Sequence, residues 1–383
     1  MKVTNKLVPN SSFSWYYTGF IHSDGSLFIS LEKNSSILGF RVAPVFAITL
    51  GIKSKKLIFD IAKFFGCGNV VLSKTLATFR VTDFKQIWNI IIPHFLTYPF
   101  FGRKFLVFKI FTICCTFLYP FYNKNLPYFI TFKIIYLSFL MNEGSKRTLE
   151  ELKKYLLIIQ KKAYISEQLL KNSSYFTEDL IVLLKQNKNI LNINKFPSQF
   201  KINPMNYNLI AKVPYISLTY ILGIIEGDGT FYISFLSSSS IYTFGFNIIT
   251  SFDDLEILIL IKLRLGIGKI EIKKNSWCRL VITKLDDLIN IIIPLVALLE
   301  TYRGNKNNLF SSKASNYAVW KEGLIKHSKK EFAFKTAKSE KETQIKKEAL
   351  INFINNSYNI HNDGQKRKYN LNEFLTLHKL INN

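Results

Sequence analysis

YTGFIHSDG at residues 17–25 and ILGIIEGDG at residues 221–229 decide the fold of this chain. Each is an apolar run that ends in Asp-Gly and leads directly into a new segment. After Asp24 the apolar residues alternate with polar ones, a pattern of period two that is typical of a strand with one buried face. The sequence therefore predicts the same unit twice: a buried helix that ends at Asp24 or Asp228 and turns at once into a strand.

The repetition extends through the rest of both segments. FAITL at 46–50 is matched by FNIIT at 246–250, and NIIIP at 89–93 recurs letter for letter at 290–294. Because the matches keep their order at an offset of about 200 residues, they indicate a tandem duplication. In each copy the periodicity predicts a helix, two strands, a second helix, two strands and a third helix. The expected fold class is α+β, with two αββαββα halves.

The matched segments divide the chain into four parts. Residues 1–141 and 215–328 contain the two repeated halves. Residues 142–214 have no counterpart and contain the Lys-rich run LEELKKYLLIIQKK, which predicts a helical basic linker. Residues 329–383 are rich in charged and polar residues, and we expect them to form a polar helical tail.

An apolar segment at residues 105–141 raises a second interpretation, a hairpin of two membrane spans. Lys109, Pro120 and Lys133 interrupt it, and a charge within a bilayer is costly. We therefore expect buried helices of a soluble protein and no membrane partner.

The charge balance is strongly basic. Lys and Arg number 51 against 26 Asp and Glu, a formal charge of +25. Such an excess attracts a polyanion, with nucleic acid as the leading candidate and an anionic membrane surface as the second. The four cysteines form no CxxC pair and the five histidines do not cluster with them, which argues against a zinc site or a disulfide framework.

The duplicated acids lie at helix carboxyl ends and the duplicated glycines lie mid-helix, and at these positions each residue type destabilises the helix. An aspartate at the carboxyl end of a helix opposes the helix dipole, at a cost of about 0.3–1 kcal/mol, so Asp24 and Asp228 call for a metal or a polar contact. Gly19 and Gly223 lie mid-helix, where glycine costs about 0.5–1 kcal/mol relative to alanine. We expect these glycines to let two helix backbones approach closely, which offsets that cost. The plain alternative is simple Asp-Gly turn chemistry, which two copies in the same order make less attractive.

Both stretches resemble the LAGLIDADG motif of homing endonucleases in its single-chain, two-motif form. The resemblance covers about residues 13–105 and 215–320, and the second motif is the better match. The first motif departs from the pattern at Tyr17, Thr18, His22 and Ser23. The resemblance implies two pseudo-twofold-related halves, with the motif helices side by side and saddle-shaped antiparallel sheets lying along the DNA major groove.

The resemblance also implies a catalytic centre over the DNA minor groove. Asp24 and Asp228 would bind Mg²⁺, helped by the backbone carbonyls of Ser23 and Gly227, which are ligands that this hard ion prefers. Each acid would serve one strand, and a metal-activated water would hydrolyse the phosphodiester, so that a double-strand break with a short 3′ overhang results.

Basic residues complete the predicted site. Family members often hold a lysine near the metals. Lys104 and Lys306 stand at matching places in the two halves, in GRK at 102–104 and GNK at 304–306, and are the catalytic candidates. A surface or phosphate-contacting role is the alternative for each. Base readout should come from strand side chains that face away from the helices. The candidates are Arg41, Lys74, Arg80, Lys269, Lys273 and Arg279.

The resemblance thus implies a monomeric site-specific DNA endonuclease of intron homing, with a double-stranded DNA target. One alternative is an RNA maturase that assists splicing of its own group I intron, alone or in addition to cleavage. Another is a DNA-binding protein on the same scaffold without cleavage. The abundance of Phe, Ile, Tyr, Asn and Lys, which have AT-rich codons, hints at an organellar gene, with the mitochondrion favoured over the plastid.

Overall fold

The computed structural model describes most of both repeated halves, and the described ranges are residues 11–33, 40–122, 126–141, 216–235, 241–273, 276–303, 311–358 and 370–380. The predicted linker at 142–214 lies outside these ranges, and so does Lys306. The two sheets and the helices that cover them fall inside them.

The N-terminal half follows the predicted order. The first motif helix, α1 (Ser11–Asp24), passes directly into strand β1 (Gly25–Lys33). The remaining elements are β2 (Phe40–Gly51), α2 (Lys55–Phe65), β3 (Asn69–Leu72), β4 (Leu76–Val81) and α3, which is built of Phe84–Gln86, Ile87–Ile91 and Ile92–Thr97. Gly66 ends α2 with φ of 62°, a left-handed conformation that glycine adopts without strain.

Two further helices follow, α4 (Gly102–Leu118) and α5 (Tyr128–Met141). The stretch Gly102–Phe121 is long and apolar enough to cross a membrane by length and composition alone. One side of it packs into the protein, since Phe108, Phe111 and Cys114 are buried in the core. Lys109 on the same helix is exposed.

The C-terminal half repeats the architecture. Its second motif helix, α6 (Leu218–Asp228), passes directly into β5 (Gly229–Phe235). The remaining elements are β6 (Tyr242–Ser251), α7 (Leu255–Leu265), β7 (Lys269–Lys273), β8 (Trp277–Ile282) and α8, which is built of Leu285–Asp287, Leu288–Ile292 and Ile293–Arg303. Helix α9 (Lys313–Ser328) then occupies the place that α4 has in the first half.

The last part of the chain is not a free tail. It contains the helices α10 (Glu340–Ser357) and α11 (Leu371–Leu377), whose outer sides are polar. Their inner sides, however, bury Leu350, Phe353 and Phe374 in the core. The sequence prediction missed this because polar residues outnumber the few apolar positions that make the contact.

Each half contains one four-stranded antiparallel sheet, with strand orders β1-β2-β4-β3 and β5-β6-β8-β7. The pairing is equivalent in the two sheets, since Gly25 pairs with Ile48 and Gly229 pairs with Ile248. Successive side chains alternate between faces, so Leu27 and Ile29 are buried under the helices. On the opposite face, Ser26 and Arg41 of the first sheet and Lys269 and Lys273 of the second are exposed. The predicted α+β fold of two related halves is therefore confirmed.

The repeated NIIIP sequence has a structural explanation. Pro93 and Pro294 each lie inside a helix, two residues after the end of the π turns Ile87–Ile91 and Leu288–Ile292. A proline within an α-helix lacks the N–H for its hydrogen bond and clashes with the carbonyl four residues earlier. One widened turn before the proline relieves this conflict, which is how the same helix deviation arises in both halves.

Candidate active site

The two motif helices cross in close contact at their glycines. A Cβ atom at Gly19 would overlap the carbonyl oxygen of Tyr220, and one at Gly223 would overlap the carbonyl oxygen of Tyr16. The obstacle on each side is backbone, which cannot rotate away as a side chain can. The cost of a mid-helix glycine is thus offset by a helix separation that no larger residue permits.

This crossing brings the two acidic helix ends together. A Cβ at Gly227, directly before Asp228, would lie 3.2 Å from Oδ2 of Asp24. Burial and the neighbouring Asp228 raise the pKa of Asp24 to about 6 from an ordinary 3.8. Burial likewise raises the pKa of Asp228, against the lowering effects of a hydrogen bond with Ser23 and of nearby positive charges such as Lys313. Two partly buried carboxylates side by side disfavour each other's charged form.

A lysine lies against the Asp-Gly turn of each half. Lys104 Nζ, at the start of α4, donates to the carbonyl oxygen of Gly25. Lys313 Nζ, at the start of α9, donates to the carbonyl oxygens of Gly227 and Gly229, the latter at 2.9 Å. Burial lowers the pKa of Lys104 to about 8 and also lowers that of Lys313, while the nearby acids favour the charged forms.

Sequence reasoning located one of these lysines and missed the other. Lys104 was predicted, but its predicted partner Lys306 lies outside the described residues. Lys313 occupies the matching place because the connection before α9 is several residues longer than the connection before α4. The signal that could have found it is the pair Ser311-Ser312 before Lys313, a sequence typical of a helix start.

The residue two places before each acid is buried and bonded across the interface. Tyr16 of α1 donates to Glu226 Oε2 at 3.1 Å. At the equivalent place Tyr220 of α6 lies 2.7 Å from His22 Nδ1. His22 Nε2 in turn lies 2.7 Å from Asp254 Oδ2. His22, one of the residues at which the first motif departs from the family pattern, is thus paired with an acid of the other half.

A cleft of about 700 Å³ opens beside this centre. Lys104 and Asp228 line it together with Ser26 of β1 and Thr250 of β6. The cleft therefore connects Asp228 with Ser26 on the outer face of β1.

Most of the predicted DNA contacts lie on exposed parts of those faces. Arg41 and Arg80 are exposed on β2 and β4, and Lys269 and Lys273 are exposed on β7. Lys74 is an exception, because it lies in the turn between β3 and β4 rather than in a strand.

The turn at Lys74 is formed by its neighbour. The Ser73 Oγ accepts hydrogen bonds from the N–H groups of Thr75 and Leu76, which ends the strand pairing there.

Arg279 has protein partners already. Its guanidinium donates to Glu271 Oε2 at 2.9 and 2.7 Å and lies 5.3 Å from the ring centre of Trp277. Lys269 Nζ lies 3.8 Å from the same Glu271 side chain. The guanidinium is thus held in one orientation on the outer face of β8, which reduces the entropy that it would lose on contacting a ligand.

The donor set at the acidic centre fits a hard divalent cation. Among the described residues no group of three or more His, Cys, Asp or Glu could hold a metal ion. Asp24 and Asp228 offer carboxylate oxygens, and Ser23 and Gly227 stand next to them in the last turns of α1 and α6. Oxygen ligands with room for water are typical of Mg²⁺ and Ca²⁺ sites.

Two crossing helices with adjacent acidic ends, a lysine against each end and a sheet on either side define a class, the single-chain endonucleases with two motifs. The family model described as LAGLIDADG endonuclease matches residues 17–115 and 221–324. These ranges make up more than half of the sequence, and the chain belongs to the LAGLIDADG endonuclease family.

Similar proteins agree with this assignment. The probable intron-encoded DNA endonuclease 1 of Mycosarcoma maydis is 23% identical over 80% of this chain and 96% of its own length. The probable intron-encoded endonuclease 2 of Neurospora crassa is 26% identical over 85% of this chain and 64% of its own length.

Solved structures show the same fold. The LAGLIDADG homing endonuclease I-LtrWI, bound to its target DNA, superposes with a TM-score of 0.63 at 20% identity, over 93% of this chain and 99% of that one. I-SmaMI, bound to an uncleaved DNA target in the presence of calcium ions, gives a TM-score of 0.62 at 19% identity, over 91% and 98%.

Proposed function

We propose that this protein is a site-specific DNA endonuclease that makes a double-strand break in a long target site and so promotes intron homing. The observation that carries the proposal is the juxtaposition of Asp24 and Asp228 at the crossing of two helices, with Lys104 and Lys313 on either side. One chain supplies both acids, so a monomer suffices.

The proposed cofactor is Mg²⁺, held by Asp24 and Asp228 with the carbonyl oxygens of Ser23 and Gly227. When bound, it would supply an activated water and neutralise the leaving 3′ oxygen. The chain's own part is to hold two carboxylates in a partly buried position that disfavours their charged forms until a cation binds.

Lys104 and Lys313 are the proposed catalytic lysines. Each is held by backbone carbonyls at the Asp-Gly turn, which fixes the ammonium group within reach of a phosphodiester at the acidic centre. An ammonium group placed in advance stabilises the negative charge that develops on the phosphate oxygens. Lys306, the partner that the sequence predicted for Lys104, stays a candidate for a phosphate contact.

The outer faces of both sheets are the proposed DNA-binding surface. Strands enter the major groove, where base edges present distinct donors and acceptors. The contacting residues would be Arg41, Arg80, Lys269, Lys273 and Arg279, with Lys74 in the β3–β4 turn as a phosphate contact. The net charge of +25 favours association with DNA and predicts that affinity falls steeply with salt.

The proposed location is the mitochondrion. Relatives of this chain are intron-encoded proteins of fungi, and one of them, from Podospora anserina, lies in an intron of ND4 and is 31% identical over 25% of this chain. The abundance of residues that AT-rich codons encode favours the same location.

The test is a cleavage assay with purified protein, Mg²⁺ and DNA that spans the uninterrupted host gene. The wild type is expected to cut both strands at one position. Asp24→Asn and Asp228→Asn should each abolish double-strand cleavage, leave at most a nick, and retain DNA affinity in EDTA. Each variant loses one metal ligand and no DNA-binding cation.

Asp286→Asn is the matched control, because this exposed carboxylate lies away from the helix crossing. It should cut as the wild type does. Binding without cleavage by the wild type would instead identify a DNA-binding protein on this scaffold, and full activity of Asp24→Asn would exclude the acidic centre as the active site.

A further inference from the structure

The starts of helices α4 and α9 are each held by a residue of the opposite half. The backbone N–H of Arg103 donates to Asp254 Oδ1 at 3.1 Å, and the backbone N–H of Ser312 donates to Ser54 Oγ at 3.1 Å. Ser54 and Asp254 end the equivalent 3₁₀ turns Ile52–Ser54 and Phe252–Asp254. The two contacts are therefore related by the duplication, and they differ in chemistry.

The contact at Asp254 is the stronger of the two. Asp254 is nearly buried, with 13% of its side chain exposed, and its second oxygen lies 2.7 Å from His22 Nε2. It faces the positive end of α4, where a carboxylate is stabilised by the helix dipole. Hydrogen bonds that involve a charged group are roughly twice as strong as neutral ones. Ser54 offers a neutral hydroxyl at the start of α9.

The chain around the contact leaves little freedom. Gly102 has φ of 53°, and a Cβ atom there would overlap Asp254 Oδ1. Only glycine therefore allows the carboxylate to reach the helix start. Burial alone would raise the pKa of Asp254, but the hydrogen bond and charge of His22 hold it below the ordinary value, so the group carries its negative charge at neutral pH.

Each contact lies one residue before a proposed catalytic lysine. Arg103 precedes Lys104, and Ser312 precedes Lys313. A shift of the helix start is therefore passed directly to the ammonium group. A misplacement of about 1 Å can cost on the order of 100-fold in rate.

We propose that Asp254 is a positioning residue that fixes Lys104 at the catalytic centre, and that the difference between Asp254 and Ser54 makes the two DNA strands break at unequal rates. The inference rests on the proposed endonuclease function. Each lysine contacts the Asp-Gly turn of its own half, so each serves the strand that this half approaches.

The experiment measures both strands separately, on target DNA that carries a different fluorophore at each 5′ end. Asp254→Ser gives the first site the chemistry of the second. It should slow one strand by about 10- to 100-fold and leave the other within about twofold, so that nicked DNA accumulates. Ser54→Ala should slow only the opposite strand, by about threefold, because a neutral contact is weaker.

Asp254→Asn supplies a conservative variant, since its amide oxygen can still accept from Arg103. It should slow the same strand as Asp254→Ser but by less, because it keeps the acceptor and loses the charge. If Asp254→Ser does not fold, this slowing of one strand is the result that tests the inference. Thermal unfolding reports folding for every variant.

A double-mutant cycle separates positioning from a general structural role. Lys104→Ala should slow the same strand as Asp254→Ser, and the double variant should be no slower on that strand than Lys104→Ala alone. Equal slowing of both strands, or additive losses in the double variant, would overturn the inference and leave the endonuclease function standing. A wild type that breaks neither strand would defeat the proposed function and the inference with it.

Discussion

At equivalent positions on the outer faces of the two sheets, Arg279 of β8 is paired with Glu271, whereas Thr78 of β4 is hydrogen-bonded to Thr49 at 3.0 Å. The backbone pairing is the same, because Thr78 lies opposite Thr49 as Arg279 lies opposite Ile249. Behind the sheets, at the helix crossing, the halves remain alike in Gly19 and Gly223 and in Asp24 and Asp228. The two copies therefore match at the glycines and acids of the crossing and differ at this outer position.

The difference separates residues whose contacts involve both halves from residues whose contacts involve one half alone. A contact made by both halves constrains both copies, so the glycines and acids of the crossing must match each other. A side chain on an outer face meets only its own part of a ligand. Substitutions at Gly19 and Gly223 should accordingly have effects of equal size. Substitutions at Arg279 and Thr78 should have effects of different size.

The largest effect on stability is expected at the crossing. Gly19→Val and Gly223→Val should each lower the free energy of unfolding by about 3 kcal/mol or more, because the added atoms meet backbone carbonyls that cannot move aside. Thermal and urea unfolding measure the loss, and the two variants should be alike.

Gly51→Ala is the control for the glycine variants, since a Cβ at Gly51 has no heavy atom within 4 Å. It should change stability by less than about 0.5 kcal/mol. A Gly19→Val protein as stable as the wild type would show that the helices can separate without cost, which would end the claim that the crossing is shared.

A smaller effect is expected from the acids as pH changes. The pKa of Asp24 is raised from 3.8 to about 6, so without metal its contribution to stability is complete below about pH 3.8 and is lost as the pH rises through 6. In EDTA at pH 8, Asp24→Asn should therefore be more stable than the wild type by about 3 kcal/mol, and near pH 4 the difference should vanish.

Mg²⁺ should reverse this order at pH 8, because the cation binds the deprotonated carboxylates of the wild type and lacks one ligand in the variant. Asp228→Asn should behave in the same direction, since burial raises the pKa of Asp228 as well. Melting temperatures of wild type and variants that stay parallel from pH 4 to pH 8 would contradict the proposed metal site.

The smallest effects are expected on the outer faces, where the two equivalent positions should also differ most from each other. Arg279→Ala should weaken DNA binding by about 1–3 kcal/mol and relax the preference at one base pair, while Thr78→Ala should cost less than about 0.5 kcal/mol. Binding to targets substituted one base pair at a time measures both. Equal losses at the two positions would mean that the two faces read DNA in the same way.

Much of the fold could be predicted because the duplication tests each pattern twice. The Asp-Gly turns, the period of two after Asp24 and the glycines five residues before each acid all have local causes in helix and strand geometry. The helix crossing follows from the same residues, since a mid-helix glycine needs a reason that only close packing supplies.

The rest of the site depends on contacts that the sequence does not show. Lys313 was missed because a longer connection moves it out of the repeat offset. His22 is separated from Asp254 by more than 200 residues, and nothing near either residue names the other. The inner sides of α10 and α11 were missed because a few apolar positions in a polar sequence decide their packing.

The backbone contact at Gly19 and Gly223 also fixes the position of one half relative to the other. Neither half can slide along the other, so the gap between the two carboxylates is a fixed length. A duplex in which one base pair is inserted between the two scissile phosphates could offer only one of them at a time. New specificities could thus evolve on this scaffold one half-site at a time, through strand side chains, while the spacing at the centre of the target stays constant.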